Sequence, residues 1–266
     1  MNLYDRDFST LTKEEETEWR SLQQQETVGT IGRFKIVQSR FRQYPKAVRH
    51  YLSLFPNNYL DIVELEDERT LREILDSFRR LLDSSDVGER AILNFINQNC
   101  AYFVVGSLLK SYFHFGHHDA YLFPEFPLGT SYKVDYLLAG RSSDGWHLVF
   151  VELEAPLGAI TLASGELGLA FRKGLAQIAD WDAWIEAHYG ALSEVFDKHR
   201  STRELLPDEF RLFDKSRLHY VVIAGRRTHF NERTYRTRRK SQPRELILHY
   251  DNLADAADNI IGSNTY

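Results

Sequence analysis

Three acidic residues lie close together in the centre of the sequence, within two segments of strand-like composition. Asp135 belongs to an apolar segment at residues 134–139, and Glu152 and Glu154 end a second one that begins at residue 146. Alternate residues of a strand share one face, so the two glutamates project together. Carboxylates gathered on a buried face repel one another unless a cation or a proton neutralises them. The pattern therefore indicates a site for Mg²⁺ or Mn²⁺, which prefer oxygen ligands.

The turn between the two segments predicts how these side chains meet. Residues 141–145 read Arg-Ser-Ser-Asp-Gly, which is typical of a hairpin turn. A hairpin symmetric about its centre places Asp135 opposite Glu152 and Lys133 opposite Glu154, with all four side chains on one face. A bulge at Gly145 would shift this register. A strand bearing Glu-x-Glu is also common as a plain solvated face, and that alternative stays open.

The remaining elements follow from hydrophobic periodicity and turn residues. Helices are predicted at residues 67–82, after the Ser84-Ser85-Asp86 cap, at 166–188 and at 252–260. Strands are predicted at residues 34–37, 59–65, 121–126, 134–139, 146–153, 218–224 and 245–250. This order describes a mixed α/β fold, with a soft boundary that leaves residues 1–65 as a small strand-containing N-terminal module and 66–266 as the larger domain.

Composition limits the function classes. The net charge of −5 argues against a protein that coats nucleic acid without specificity. Cys100 is the only cysteine, which excludes an intramolecular disulfide and a multi-cysteine zinc site. The sequence shows no signal pattern, no apolar run of about 20 residues and no phosphate-binding glycine motif, so we expect a cytoplasmic protein without membrane contact or nucleotide cofactor. The histidines at 114, 117 and 118 match no zinc motif.

Polar and basic residues near the predicted site are candidates for contacts with an anionic substrate. Gln177 and Lys173 lie one turn apart on a predicted helix, where they could position a phosphate or a water, although a surface glutamine is equally common. Glu125 and Glu89 are weaker candidates for further acidic groups. Basic side chains that could clamp a phosphate backbone also occur nearby and in a segment between the last two strands: Arg172, Arg226, Arg227, Arg236, Arg238 and Arg239. That segment could instead be a solvated loop.

At these residues the chain resembles the PD-(D/E)XK nucleases, and more narrowly the Shedu family of prokaryotic antiphage nucleases. The resemblance covers roughly residues 86–260. It is carried by Pro-Glu-Phe-Pro at 124–127, Lys-Val-Asp-Tyr-Leu-Leu at 133–138, Val-Phe-Val-Glu-Leu-Glu-Ala-Pro at 149–156, Gln-Ile-Ala-Asp-Trp at 177–181 and Tyr-Asp-Asn-Leu at 250–253. The order of the elements is more specific than any one of them.

The resemblance implies a restriction-endonuclease-like mixed sheet flanked by helices, and a Mg²⁺-dependent endonuclease that hydrolyses phage or other foreign DNA. It assigns the metal to Asp135 and Glu152 and implies a homo-oligomer whose N-terminal module senses or regulates. The family's pattern has a lysine two residues after the glutamate, where this chain has Glu154. Glu154 could bind metal or act as general base, and Lys133 could supply the missing positive charge.

Two other interpretations stay open, the first of them because of Glu154. The chain could be a catalytically inactive relative that still binds nucleic acid, or a protein-interaction scaffold of the same fold. An active enzyme would cleave DNA in a metal-dependent way, whereas the inactive relative would not. The scaffold would not retain DNA even at low salt.

Overall fold

A five-stranded mixed sheet forms the centre of the computed structural model, which describes residues 1–31, 34–240 and 244–266. Its strands are β3 (Asp119–Leu128), β4 (Tyr132–Ser142), β5 (Gly145–Leu153), β6 (Leu218–Ile223) and β7 (Glu245–Leu248), in that spatial order. The first three are antiparallel neighbours, whereas β6 and β7 run parallel to β5. The α/β class predicted from the sequence is confirmed.

Helices cover both faces of the sheet. On one face lie α3 (Glu68–Leu82), α4 (Glu89–Gln98), α5 (Tyr102–Leu108) and α8 (Tyr250–Ile260), packed on side chains such as Leu138 and Val151. The opposite face packs against α6 (Leu169–His199) through residues such as Leu137 and Phe150. Neighbouring strand residues thus enter different cores, because side chains alternate across a sheet. The remaining helix of this part, α7 (Glu232–Lys240), lies between β6 and β7 in the chain.

The N-terminal part contains α1 (Lys13–Gln24), the antiparallel pair β1 (Thr27–Ile31) and β2 (Phe34–Gln38), and α2 (Lys46–Tyr51). Its connection to the sheet is direct, since the Leu60 amide donates to the Ala120 carbonyl at 2.9 Å. Leu60 and Leu65 are also buried in one of the two main cores. The domain boundary near residue 65 stays a prediction.

Several predicted elements differ from the structure. Residues 59–65 do not form a strand: Tyr59 makes one isolated bridge to Tyr121, and Ile62–Glu66 is a 3-10 turn. Helix α4 begins after Gly88 rather than at the Ser-Ser-Asp cap, and α6 extends to His199 with non-helical backbone at His188. The basic segment after β6 is helical in α7, not a solvated loop.

No single helix in the described ranges is long and apolar enough to cross a membrane. One sharply bent pair, Glu89–Gln98 with Tyr102–Phe113, meets the length and composition criteria only when its two helices are taken together.

Candidate active site

The site lies where β4 and β5 separate. Their ladder follows the predicted register down to the pair Tyr136 and Val151, which confirms the hairpin alignment. The next residues in this register are Asp135 and Glu152. The Asp135 carboxylate accepts a hydrogen bond from the Leu153 amide at 2.8 Å, so a side chain takes the place of the backbone partner there. The ends of β4 and β5 therefore separate, with the Asp135 carboxylate between them.

Glu152 is almost fully buried, with 3% of its surface exposed, at the end of β5. It pairs with Val222 of the parallel strand β6, so its backbone is fixed inside the sheet. Burial raises the pKa of Glu152 to about 9, with further contributions from the charges of Asp135 and Glu154. Burial likewise raises the pKa of Asp135 to about 7, although the Leu153 amide opposes this shift. Without a cation, these two carboxyl groups therefore retain protons at pH values where exposed acids have lost them.

Glu154 is the third acid, and Lys173 is its partner. Although only 2% of Glu154 is exposed, its carboxylate lies 3.0 Å (Oε1) and 3.1 Å (Oε2) from the Lys173 ammonium, which comes from the first turns of α6. The same ammonium lies 3.8 Å from Glu89 at the start of α4. Burial raises the pKa of Glu154, and Lys173 opposes the shift. The pKa of Lys173 is raised because its acidic neighbours outweigh its own burial.

A glycine brings α6 close enough for this contact. A Cβ placed on Gly174 would lie 2.6 Å from Val222 Cγ1 and 3.2 Å from Glu154 Cγ. Any larger residue would therefore overlap the strand face. The absence of a side chain at Gly174 lets the helix place Lys173 directly over the end of β5. A glycine inside a helical pattern can indicate such close packing, but the sequence predictions gave no role to Gly174.

The Tyr-Asp-x-Leu segment anchors the site from the other face of the sheet. The fully buried Tyr250 donates its hydroxyl hydrogen to the Glu154 carbonyl at 2.7 Å. Asp251 accepts hydrogen bonds from the Arg226 side chain, the closest at 2.9 Å, and from the Arg227 amide at 2.7 Å. Arg226 also donates to the Leu82 carbonyl at the end of α3. These bonds fix the chain that follows β5 and β6.

The structure corrects the prediction for Lys133. Its ammonium lies 2.6 Å from Glu125, and both side chains are more than half exposed. Lys133 pairs in the ladder with Pro127 of β3, because β4 no longer runs beside β5 at that point. The positive charge beside Glu154 comes from Lys173 instead. Glu125 has a left-handed backbone (φ 51°) and directs its side chain to this surface pair.

The arginines predicted to contact phosphate fall into two groups in the structure: some are paired with other side chains, and others are exposed. Arg226 pairs with Asp251 and has 20% of its side chain exposed, and its role as a nucleic-acid contact stays a prediction. Arg227 pairs with Asp255, Arg239 lies 2.8 Å from Glu232, and Arg238 interacts with the Tyr112 hydroxyl. The remaining candidates, Arg172 on α6 and Arg236 on α7, are exposed. A backbone-contacting role stays a prediction for the exposed members of the set.

Comparison with known proteins identifies the family of this chain. A family model described as "Shedu protein SduA, C-terminal" matches residues 86–254, which is more than half of the chain. The chain belongs to the Shedu family. The match begins just before α4 and ends within α8, so it includes Asp135, Glu152, Glu154 and Lys173. A search of curated proteins found no match. Membership of the Shedu family suggests a role in antiphage defence.

The carboxylate oxygens of the site fit a hard divalent cation. The Gln177 amide lies one helical turn beyond Lys173 on α6. Two buried oxygens, Glu154 Oε1 and Gln177 Oε1, have no hydrogen-bond partner, although Lys173 is close to the first. Within the described ranges, the three carboxylates do not place three oxygens within 4.8 Å of one another. A cation shared by all three would therefore require a side chain to turn, and Glu154 could do so by leaving Lys173.

A second acidic cluster lies in the N-terminal part. Among the described residues, His50, Asp61 and Glu64 form the one group whose ligand atoms all lie within 4.8 Å, so they could hold a metal ion by position. Their carboxylates already have cationic partners: Arg49 lies 2.8 Å from Asp61, and Lys46 lies 2.6 Å from Glu64. Because these ion pairs neutralise both acids, the cluster has little need of a cation.

Proposed function

We propose that this Shedu protein is a metal-dependent endonuclease that hydrolyses phosphodiester bonds of foreign DNA in the prokaryotic cytoplasm. The observation that carries the proposal is the buried set of Asp135, Glu152 and Glu154 at the opened ends of β4 and β5. Such a set is costly unless it is protonated or binds a cation. Its position at the ends of interior strands of a mixed sheet is compatible with a PD-(D/E)XK site.

In this proposal Asp135 and Glu152 hold Mg²⁺ or Mn²⁺, and Glu154 joins them or acts as the general base. The cation would lower the pKa of the attacking water and offset charge on the pentacovalent phosphate. Burial raises the pKa of Glu154, and this makes its carboxylate a stronger proton acceptor than an exposed glutamate. Gln177 would orient the water or the phosphate through its amide. The departing sugar oxygen takes up a proton from solvent water as the phosphorus–oxygen bond breaks.

The substrate would approach along the mouth of the site, where Lys173 and Arg172 of α6 are exposed. Exposed cations on one edge favour a phosphate backbone without reading bases, so binding should weaken steeply as salt rises. The N-terminal part would regulate or sense the target, and assembly into a homo-oligomer would accompany it, as the family resemblance implies.

The test is a digestion assay on linear, circular and single-stranded DNA with Mg²⁺, with Mn²⁺ and with EDTA. We expect cleavage that needs the metal and is abolished by Glu152→Gln, which keeps the shape of the side chain. Glu194→Gln, an exposed site on α6, is the matched control and should cleave like wild type. Metal-dependent cleavage that survives in Glu152→Gln would overturn the site assignment.

One observation favours a second function. Glu154 occupies the position where the family pattern has a lysine, which is compatible with a relative that binds DNA without cutting it. That protein would retain DNA at low salt and show a metal-dependent thermal shift without any cleavage. A scaffold would show neither property.

A further inference from the structure

The candidate site is unbalanced in charge. Four acidic side chains surround it: Glu89, Asp135, Glu152 and Glu154. The pKa shifts of Asp135 and Glu152 show that these acids influence one another. Among the residues that the structure describes, Lys173 is the cation that contacts this group directly, through Glu154 and Glu89. Its side chain is 54% exposed, so the ammonium lies at the boundary between the buried acids and solvent.

We propose that Lys173 is a catalytic residue that replaces, from helix α6, the cation that the nuclease motif places on strand β5. Its ammonium contacts the end of β5 at residue 154, the position where the motif has its lysine. This inference rests on the proposed nuclease function. Lysine is a flexible point charge that binds a phosphate oxygen without strict geometry, so the element that carries it can change.

Three features support the replacement. Lys173 contacts both oxygens of Glu154, so it lies over the carboxylate rather than at one edge of it. Gly174 has no side chain, and this allows the close approach of α6 on which the contact depends. The exposure of Lys173 leaves its ammonium accessible to a phosphate. When Glu154 turns to a cation, the ammonium is released and can bind the phosphate oxygen.

Moving the lysine back to the strand tests this inference. Lys173→Met removes the cation and keeps the length of the chain, and we expect cleavage to fall about 100-fold or more, as for loss of one preorganised charge-stabilising group. The double variant Glu154→Lys/Lys173→Met returns the cation to residue 154 but loses the Glu154 carboxylate, so its reference is Glu154→Gln/Lys173→Met. We expect cleavage to rise about tenfold or more over that reference. Lys198→Met, an exposed lysine on the same helix, is the control and should cleave like wild type.

Mn²⁺ affinity, measured by calorimetry, gives a readout that is independent of cleavage. Removing a positive charge beside the acids should tighten Mn²⁺ binding in Lys173→Met by roughly threefold or more. The double variant Glu154→Lys/Lys173→Met is one unit more positive at the site than wild type and lacks one carboxylate, so it should bind Mn²⁺ more weakly than wild type. Thermal melts verify that each variant is folded.

The outcomes separate this inference from the proposed function. If wild type cleaves DNA in a Glu152-dependent way but Lys173→Met is fully active, or the folded variant Glu154→Lys/Lys173→Met cleaves no better than Glu154→Gln/Lys173→Met, the inference is wrong and the nuclease proposal stands. If wild type does not cleave, the nuclease proposal fails and the Mn²⁺ affinities decide: equal affinities in wild type and Lys173→Met overturn the placement of Lys173 as the site's cation.

Discussion

Replacing Glu152 by glutamine should remove a specific part of the pH dependence of stability. Burial raises the pKa of Glu152 from the ordinary 4.5 to about 9 in the metal-free protein. The folded protein therefore keeps a proton that the unfolded chain releases above its own pKa. The free energy of unfolding is then highest below the unfolded pKa and falls as the pH rises towards the folded pKa.

The size of the effect follows from this shift. From pH 5 to pH 8 the unfolded chain has released the proton and the folded protein retains it, and each pH unit costs about 1.4 kcal/mol. Over three pH units, Glu152 can therefore lower the free energy of unfolding by at most about 4 kcal/mol. A neutral glutamine of similar shape has no such dependence. Because the pKa of Asp135 is also raised, Asp135 likewise lowers the free energy of unfolding as the pH rises, and this contribution remains in Glu152→Gln.

The assay is urea unfolding followed by circular dichroism at pH 5, 6, 7 and 8 in EDTA. We expect the unfolding free energy of wild type to decline more steeply than that of Glu152→Gln, with a difference of about 2–4 kcal/mol across the range. Saturating Mg²⁺ should reduce the difference, because a bound cation replaces the proton. Glu194→Gln should follow wild type. Parallel curves for wild type and Glu152→Gln in EDTA would refute the reasoning.

Three further substitutions test the supports of the site, each measured by urea unfolding. Tyr250→Phe leaves the Glu154 carbonyl without its hydroxyl donor and should cost about 1–3 kcal/mol; no loss would show that the bond is dispensable. Gly174→Ala forces a methyl group against Val222 and should cost about 1–3 kcal/mol while also lowering cleavage; a neutral result would contradict the close packing of α6. Arg226→Met should cost about 1–3 kcal/mol by removing the guanidinium that donates to Asp251 and to the Leu82 carbonyl, and salt-dependent DNA affinity should not change.

The hairpin that carries the acids could be predicted because its signals are local. Turn residues and strand composition alone gave the register that the structure shows from Tyr136 and Val151 to the turn. The prediction failed one step further, at Lys133. The strands separate beyond that pair, and β4 continues beside β3 alone, so Lys133 meets Glu125 instead of Glu154. Where two strands diverge depends on the surrounding packing rather than on their own residues.

Contacts between residues that are far apart in the chain could not be predicted from the sequence pattern. Tyr250 reaches the Glu154 carbonyl across 96 residues, and Lys173 reaches the same residue across 19. Helix α5 was also missed, since all its residues from Tyr102 to Leu108 are buried and show no polar face. The ion pairs of the basic segment could not be predicted from the sequence. Arg226, a predicted nucleic-acid contact, pairs with Asp251 and has 20% of its side chain exposed.

The most direct test of the central claim is a crystal of the protein soaked in Mn²⁺ and measured at the wavelength where manganese scatters anomalously. We predict an anomalous peak bridged by the carboxylates of Asp135 and Glu152, and its loss in Glu152→Gln. No peak between these carboxylates at saturating Mn²⁺, or a peak only at His50, Asp61 and Glu64, would contradict the account.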